Sequence, residues 1–324
     1  MSSTDRNAVE ELLARALIDP SDGTRPTQFP PEGEELVFQG GGRYPCHEGS
    51  PVLIAEGSSL FRVSDVLSKV PTTQLASYRD RGSLKNHVRQ RIFPSLTRDP
   101  GYARRMARLA DEVANGPVLI LGAGAKGESS RRDFPNSVVV TTDVHLQFGI
   151  DLVCDAHDIP FADGTFGLVF ADQVLEHVAR PWRVAAEMER VARPGGLVYA
   201  ATPFVFPHHG NGYDFQRFTS TGLRFLFPRS SSVFLTSAGG PYSASATILS
   251  QALIDLSRRR TIRRAALAVA RLTLWPLKHL DRLTDSQPDL QVTAAKGLAF
   301  LGRVDGRTRS DLELFNDARV SRLD

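Results

Sequence analysis

The chain has 324 residues, of which 41% are hydrophobic and 23% are charged, as in an ordinary globular protein. Its 39 Lys and Arg residues exceed its 36 Asp and Glu residues by only three, so any attraction to a polyanion must come from local clusters of basic residues. The two cysteines, Cys46 and Cys154, exclude a disulfide framework, and neither a signal-peptide core nor a run of about 18 apolar residues occurs, so a cytoplasmic protein without a membrane span is expected.

The N-terminal residues predict a short amphipathic helix. Apolar side chains at Val9, Leu12, Leu13, Ala16 and Leu17 recur at helical spacing and indicate one buried face. We therefore expect a docking helix, followed by a linker rich in Pro and Gly.

The next segment predicts a small β module. The sequence Arg43-Tyr-Pro-Cys-His-Glu-Gly-Ser-Pro-Val-Leu-Ile54 resembles the second half of a zinc-ribbon-like module that accompanies some methyltransferases. Metal-binding versions of that module carry paired cysteines before the Tyr-Pro, whereas this chain has Gly40 to Gly42 in that region. Cys46 and His47 are adjacent and have no second pair, so we expect a degenerate module that binds no metal.

A basic connector follows, predicted to be mostly helical. Its basic residues are Arg79, Arg81, Lys85, His87, Arg89, Arg91, Arg98, Arg104, Arg105 and Arg108. One interpretation is a solvated helical collar. The other is attraction to phosphate on a lipid, a nucleotide or a nucleic acid.

From Val118 onward, strands alternate with helices. Apolar or β-branched runs predict strands at Val118–Leu121, Ser137–Thr141, Asp151–Cys154, Phe166–Ala171 and Gly196–Thr202. Pro181 opens a helix before the last of these strands, and Arg193-Pro-Gly-Gly ends it. This alternation implies right-handed crossovers and an α/β fold with a doubly wound, mostly parallel sheet.

The C-terminal part completes this sheet and adds helices. Strands at Ser232–Ser237 and Gly297–Arg303 bring the predicted total to seven, and Gly222–Phe227 predicts a short helix. The predicted divisions are residues 1–62 for the helix and β module, 63–115 for the basic connector, 116–304 for the main domain with a helical insertion at about 244–293, and 305–324 for a polar tail.

A glycine turn follows the first main-domain strand. Gly122, Gly124 and Gly127 have the spacing of a dinucleotide fingerprint, where glycine lets the backbone approach a ligand. Asp143 ends the next strand, where a carboxylate can accept hydrogen bonds from ribose hydroxyls. These features alone fit NAD and S-adenosylmethionine equally.

Four further motifs distinguish these cofactors. They are Asp155-Ala156, the stretch from Asp163 to Phe170, Val174-Leu-Glu-His-Val178 and Arg193-Pro-Gly-Gly196. In this order, over about residues 116–227, they resemble the class I S-adenosylmethionine-dependent methyltransferases of the type 11 group. The resemblance implies a seven-stranded Rossmann-like sheet and S-adenosylmethionine as cofactor.

The resemblance also implies which residues bind the cofactor: Gly122, Ala123, Gly124 and Gly127 in the glycine turn, Asp143 and Val144 near the ribose, Asp155 and Ala156 around the adenine, and Asp172 and Gln173 facing the sulfonium and its amino-acid tail. Two positions depart from the family pattern. Ile120 stands where the family has an acid, and Gly167 stands where it has an aspartate. They motivate an alternative, a non-catalytic scaffold that retains the fold.

The segment Thr202–Thr219 is predicted to meet the methyl acceptor. It resembles a loop of methyltransferases associated with polysaccharide and glycolipid clusters, which implies a catalytic or substrate-contacting role for His208, His209 and Asp214. An oxygen acceptor needs a base or a metal, and histidine suits the first task. The alternative is a lid that the pair Asp214 and Arg217 closes. We expect methyl transfer to a small-molecule or glycan-type hydroxyl, with no resident metal.

The remaining basic residues suggest partners. Residues 244–283 combine a basic block, Arg258–Arg264, with an apolar helical face, which predicts peripheral contact with the inner face of the membrane. Packing over the sheet as a cap is the alternative. RNA methylation remains an alternative because of the basic connector, whereas no DNA partner is expected.

Overall fold

The computed structural model describes residues 3–29, 34–68, 95–97, 99, 101–113, 116–124, 131–146, 149–209, 212–284 and 287–318. The strands in these residues are β1 (Glu35–Val37), β2 (Arg43–His47), β3 (Ser50–Leu53), β4 (Val118–Leu121), β5 (Val139–Asp143), β6 (Leu152–Cys154), β7 (Phe166–Asp172), β8 (Ala192–Pro203), β9 (Ser230–Ser237) and β10 (Gly297–Val304). The helices are α1 (Ser3–Ala16), α2 (Val63–Leu67), α3 (Tyr102–Glu112), α4 (Pro181–Val191), α5 (Ser220–Phe225), α6 (Pro241–Asp255), α7 (Arg260–Leu274), α8 (Pro288–Thr293) and α9 (Asp311–Asp317). Within the same described residues, 3₁₀ segments lie at Arg131–Asp133, Leu175–His177 and Trp275–Thr284.

The described strands form one sheet in the order β1-β2-β3-β6-β5-β4-β7-β8-β10-β9. Strands β6, β5, β4, β7 and β8 run parallel, and β10 is antiparallel to both β8 and β9. The predicted doubly wound, mostly parallel sheet is confirmed. Its central strand β4 is apolar and buried along its whole length, as expected of a strand that is covered on both faces.

The sheet has ten strands rather than seven, because the N-terminal β module joins it. Val52 and Leu53 of β3 pair in parallel with Val153 and Cys154 of β6. The module therefore covers an edge that would otherwise expose unpaired backbone groups.

Helix α1 packs against the main core, as predicted. Val9, Leu12 and Leu13 are buried, and they belong to the same apolar cluster as Leu119 of β4. Leu17 forms an isolated antiparallel bridge with Phe161. The first residues of the chain are thus tied to the central sheet.

The predicted turn at Arg193-Pro-Gly-Gly196 lies inside a strand instead. Helix α4 ends at Val191, and β8 begins at once with Ala192 opposite Phe166. The next pair is Leu168 with Leu197, so the residues between Ala192 and Leu197 bulge from the ladder.

The helical insertion is built from α6, α7, the segment Trp275–Thr284 and α8. The buried Asp281 accepts hydrogen bonds from the amides of Gly240, Tyr242 and Ser243 at the start of α6. No helix in the described part of the chain has the length and apolar character needed to cross a membrane.

The basic connector lies mostly outside the described residues, including Arg79, Arg81, Lys85, His87, Arg89, Arg91 and Arg98. Where it is described, one arginine contradicts the solvated interpretation. Arg105 of α3 is 2% exposed, forms an ion pair with Asp99, and donates to the hydroxyl of Tyr199 over 3.3 Å. It is a core residue that fastens α3 to the sheet.

The predicted polar tail begins with an ordered helix. Ser310 and Glu313 form a capping box at the start of α9, and Leu314 is buried. Asp317 pairs with the fully buried guanidinium of Arg224 at 2.8 Å. Residues 319–324 lie outside the described residues.

Candidate functional site

A cleft of about 320 Å³ opens at the carboxyl ends of β4, β5, β6 and β7. This is the edge at which doubly wound sheets bind ligands. The sequence-predicted residues that line it are Gly122, Ala123, Asp143, Val144, Asp155, Ala156, Asp172 and Gln173. The structure therefore brings together residues contributed by four neighbouring strands.

The glycine turn forms one wall of this cleft. Gly122 and Gly124 have φ of +61° and +54°, the left-handed region that side chains disfavour. A Cβ atom at Gly122 would lie 2.6 Å from Cγ2 of Val174, so glycine is also required for space. Gly124 lies behind the lining, and Gly127 falls outside the described residues.

Asp143 fixes the shape of the turn. Its Oδ2 accepts a hydrogen bond from the amide of Gly124 at 2.8 Å. Its Oδ1 accepts one from the amide of His145 and lies 3.0 Å from that histidine's Nδ1. Oδ2 carries a single hydrogen bond and keeps a second lone pair, so Asp143 has acceptor capacity left for a ligand.

Asp155 ends β6 on the opposite side. It accepts hydrogen bonds from the His157 amide at 3.0 Å and from the Ser59 hydroxyl at 2.5 Å. Burial raises its pKa, but the bonds from His157 and Ser59 more than offset this and hold that pKa below its ordinary value. Asp155 is therefore an ionised acceptor beside Ala156.

The N-terminal part supplies a wall that the sequence analysis missed. Leu60 and Phe61 line the cleft, and Phe61 stacks on Tyr213 with ring centroids 5.7 Å apart. The Ser58 hydroxyl donates to Asp158 over 2.6 Å, which holds this segment in place. No local pattern marks these residues, because their partners lie about a hundred positions away in the chain.

The two departures from the family pattern occupy different places. Ile120 lines the cleft and is 2% exposed, so an apolar surface replaces the expected acid. Gly167 lies in β7 away from the cleft lining, where its amide donates to the carbonyl of Pro117. A Cβ at Gly116 would lie 3.3 Å from the Cα of Gly167, so the two backbones approach closely there.

Past the end of β7 the backbone turns sharply. Gln173 has φ of +60°, unusual for a residue with a side chain, and its amide donates to the carbonyl of Ala201 at 2.8 Å. The turn leads into the 3₁₀ segment Leu175–His177 and directs His177 into the cleft.

The two predicted histidines separate clearly. His209 lines the cleft, whereas His208 is exposed and lies outside the lining. Asp214 accepts a hydrogen bond from the His209 amide at 2.8 Å, and its Oδ2 lies 3.2 Å from the Nδ1 of that ring. Asp214 also forms a two-point ion pair with Arg217. The predicted lid pair and the predicted histidine thus belong to one arrangement.

The electrostatic environment keeps His209 neutral and Asp214 charged. Burial lowers the pKa of His209, and the neighbouring His177 lowers it further, against a partial upward effect of Asp214. Hydrogen bonds from Arg217 and His209 overcome the opposing effect of burial and lower the pKa of Asp214 to about 2. Near neutral pH, His209 is therefore an uncharged ring oriented by a carboxylate.

Next to these residues lies a cluster that the sequence analysis missed. Glu176 is fully buried beneath the rings of His177 and His209, whose centroids are 4.8 Å apart. Burial raises the pKa of Glu176 to about 8. The adjacency of Glu176 and His177 is visible in the sequence, but their approach to His209 depends on how the loop after β8 folds back.

The sheet and its cleft define a class of protein, the doubly wound α/β proteins with a nucleotide-type cleft at the carboxyl ends of parallel strands. Residues 130–200 match the sequence model of the family described as "Methyltransferase domain". Over this stretch the match agrees with the predicted resemblance to S-adenosylmethionine-dependent methyltransferases, a family that uses the predicted cofactor.

Curated relatives are similar over short stretches. The chain is 48% identical to an uncharacterized methyltransferase of Mycolicibacterium gilvum over 68 residues, which are 21% of this chain and 27% of that protein. It is 46% identical to one from Mycobacterium avium over 54 residues, 16% of this chain and 21% of that protein. The chain thus matches about a quarter of the length of these relatives.

Solved structures show distant similarity. Phosphoethanolamine N-methyltransferase 2 of Haemonchus contortus, in complex with S-adenosyl-L-methionine, superposes with a TM-score of 0.40 and 14% identity over 71% of this chain and 59% of that one. Geranyl diphosphate methyltransferase in complex with SAM superposes with a TM-score of 0.41 and 16% identity over 72% and 96%.

Proposed function

We propose that the protein transfers a methyl group from S-adenosylmethionine to a hydroxyl of a small-molecule, glycan or glycolipid acceptor. The observation that carries this proposal is the cleft, which gathers the glycine turn, Asp143 and Asp155 at one edge of the sheet. When bound, the cofactor supplies an electrophilic methyl group on sulfur, which the acceptor oxygen takes while S-adenosylhomocysteine remains.

The chain's own residues provide binding and alignment. Asp143 and Asp155 offer lone pairs to ribose hydroxyls and to an exocyclic amine, because both keep acceptor capacity beside their internal hydrogen bonds. Gly122 lets the backbone approach the ligand without a side chain. Leu60 and Phe61 form an apolar wall of the cleft. Ile120 occupies the position of the family's acid, so the methionine end of the cofactor would meet an apolar side chain instead of a carboxylate.

The acceptor end of the proposed site contains His209 rather than His208. A hydroxyl must lose its proton during methyl transfer, either to a base or to water after the oxygen binds a metal ion. His209 suits the role of base, because it lines the cleft and Asp214 orients its ring. His208 is exposed and is therefore a matched control.

Calorimetry with S-adenosylhomocysteine tests the cofactor part of the proposal. We expect one binding site per chain, and no binding of NAD under the same conditions. Absence of S-adenosylhomocysteine binding at millimolar concentration would contradict the proposal.

Turnover tests the acceptor part. With radiolabelled cofactor and a panel of sugars, glycolipids and small alcohols, His209→Ala should lower kcat by about 10²–10⁴-fold, the range expected for loss of acid–base assistance. His208→Ala should leave it unchanged. Cofactor binding without turnover on any acceptor would favour the non-catalytic scaffold, and methylation of RNA with steep salt dependence would favour the RNA alternative.

We further propose that the insertion touches an anionic membrane surface. Helix α7 begins within a block of exposed arginines, Arg258, Arg259, Arg260 and Arg264, and exposes Val269 and Leu272. Basic and apolar groups together suit the headgroup region of a bilayer. Sedimentation with vesicles should show more binding at 30% phosphatidylserine than with phosphatidylcholine alone. Charge reversal at Arg259 and Arg260 should abolish this difference. If the charge-reversed protein still preferred phosphatidylserine to the same degree, α7 would not be the membrane contact.

A further inference from the structure

A buried carboxylate without a partner lies at the acceptor end of the cleft. Glu176 is 0% exposed, and neither of its carboxylate oxygens accepts a hydrogen bond from any described residue. A buried carboxyl group without a hydrogen-bond partner is uncommon: in a protein interior it is stable either as the protonated acid or as a carboxylate that faces a cation. Glu176 is too deep for bulk water to fill this role.

Two histidines face this carboxylate with the same ring atom. Nε2 of His177 lies 3.7 Å from Oε1 of Glu176, and Nε2 of His209 lies 4.0 Å from the same oxygen. These separations are longer than a hydrogen bond, and they are short enough for one ion to bridge the atoms at metal–ligand distances of about 2.0–2.2 Å. One donor atom from each of the three residues lies within 4.8 Å of the other two.

The opposite ring nitrogens are already held by oxygen atoms. Nδ1 of His177 lies 2.5 Å from the carbonyl oxygen of Tyr213. Nδ1 of His209 lies 3.2 Å from Oδ2 of Asp214 and 3.3 Å from the carbonyl oxygen of Pro207. Histidines that bind metals through Nε2 have this kind of support, in which a carbonyl or carboxylate accepts from Nδ1 and fixes the tautomer.

We propose that Glu176, His177 and His209 bind one divalent transition-metal ion at the acceptor end of the cleft. Two imidazole nitrogens and one carboxylate oxygen suit zinc, cobalt, manganese or iron(II), and they suit magnesium and calcium poorly, since those ions prefer oxygen ligands. Three protein ligands leave coordination positions open for water or an acceptor oxygen.

This inference deepens the proposed function and rests on it for its role in the reaction. An ion held by these residues would lower the pKa of a bound acceptor hydroxyl, which would release its proton to water. The oxygen would then bond to the methyl carbon as the carbon–sulfur bond breaks and S-adenosylhomocysteine leaves. The role of His209 is then to hold the ion, with Asp214 as the residue that positions its ring. The predicted absence of a resident metal would be wrong.

Binding of cobalt(II) to the tag-free, chelator-treated full chain tests the site without any measurement of activity. We expect one ion per chain by equilibrium dialysis, with visible d–d absorption that reports nitrogen and oxygen ligation. Glu176→Gln keeps the shape of the side chain and removes its charge, and His209→Ala removes a ring. Each should weaken cobalt binding by at least ~100-fold, which is more than the effect of removing a group that only hydrogen-bonds to a metal ligand.

Two further variants separate ligands from bystanders. Asp214→Asn should weaken binding by ~10–100-fold, the usual effect of losing the carboxylate behind a metal-bound histidine. His208→Ala removes an exposed histidine of the same loop and should change nothing. Circular dichroism and unfolding midpoints confirm that each variant is folded. If Glu176→Gln does not fold, the site is tested by the cobalt stoichiometry of the wild-type chain and by the loss of cobalt binding in His209→Asn.

The outcomes distinguish this inference from the proposed function. Absence of stoichiometric cobalt and zinc binding to the wild-type chain would overturn the site, and so would binding that survives both Glu176→Gln and His209→Ala. If the chain binds S-adenosylhomocysteine but binds neither cobalt nor zinc, the site is refuted and the proposed function stands. Metal binding without S-adenosylhomocysteine binding would refute the proposed function and leave the site in place.

Discussion

At the scale of single residues, Gly122 combines two constraints at one position. Its φ of +61° disfavours a side chain, and a Cβ atom there would press on Val174 across the cleft. We predict that Gly122→Ala costs about 1–2 kcal/mol of stability through its backbone alone. It should also weaken S-adenosylhomocysteine binding by about tenfold or more, equal to 1.4 kcal/mol, because Val174 must move into the cleft.

Gly195 provides a matched control for this prediction. Its φ is +76°, but a Cβ atom there would meet nothing within 4 Å. Gly195→Ala should therefore lower the unfolding midpoint without changing the affinity for S-adenosylhomocysteine. Equal affinities for Gly122→Ala and wild type in calorimetry would show that the cleft tolerates a side chain at this turn.

The buried carboxyl of Glu189 predicts a pH dependence of stability. Burial raises its pKa to about 7, although the Ser230 hydroxyl and the Arg229 amide donate to it. The folded state therefore holds a proton that the unfolded state releases near pH 4.5. This group's contribution to stability should decline by about 3 kcal/mol as pH rises from 4.5 to 7 and stay constant above that.

Glu189→Gln isolates that contribution, because glutamine does not titrate. Chemical denaturation at pH 5 and pH 7.5 should give a smaller decline for the variant than for wild type, by about 2–3 kcal/mol. The comparison within each protein removes any constant cost of the substitution. Parallel pH profiles for the two proteins would show that Glu189 is ionised in the folded chain at pH 5.

At the scale of elements, the insertion depends on one buried aspartate. Asp281 accepts from three backbone amides at the start of α6 and from the hydroxyl of Ser243 at 2.5 Å. Helix N-termini carry unpaired amides and partial positive charge, so a carboxylate satisfies both. We predict that Asp281→Ala lowers stability by about 2–4 kcal/mol, since several buried donors lose their acceptor.

Asp281→Asn is the control, because an amide oxygen still accepts from those donors but carries no charge. Its cost should be less than half that of the alanine variant in urea denaturation. Similar losses for both variants would indicate that the negative charge, rather than hydrogen-bond acceptance, stabilises the start of α6.

The sequence predicted elements well where local pattern determines them. Apolar runs located β4 and β7, and Pro181 correctly opened α4, because these features act through neighbouring residues. That helix also ends at Val191, just before Arg193-Pro-Gly-Gly196 as predicted, but β8 begins at Ala192 rather than at Gly196 because these residues form a bulge within the strand. Pairing with β7 extends β8 back to Ala192, and that tertiary effect has no local signal.

The candidate site residues also divide into those that the local sequence predicts and those that depend on tertiary contacts. Positions at strand ends, such as Asp143 and Asp155, follow from strand order, because parallel strands bring their carboxyl ends to one edge. Phe61 and Glu176 could not be placed in this way. Phe61 reaches the cleft because distant segments of the chain pair with each other. Glu176 meets His209 only because the loop after β8 returns across the sheet.

At the scale of the whole molecule, the N-terminal module and the main domain share one sheet and one core. Leu36 of β1 is fully buried and belongs to the same apolar cluster as Leu53 of β3 and Leu121 of β4. Elements that share a core in this way unfold together rather than in separate steps. The cleft inherits this dependence, because Phe61 and Ser59 reach it from the N-terminal side.

Leu36→Ala tests this coupling, since both tryptophans lie outside the module. Trp182 is on α4 and Trp275 is in the insertion, so their fluorescence reports on the main domain rather than on the module itself. We predict that Leu36→Ala lowers stability by about 2–5 kcal/mol, with the same midpoint by fluorescence and by circular dichroism. Leu312→Ala, at a side chain 70% exposed on α9, should leave both midpoints unchanged. If the module were an independent unit, Leu36→Ala would give an early transition by circular dichroism and leave the tryptophan midpoint at its wild-type value.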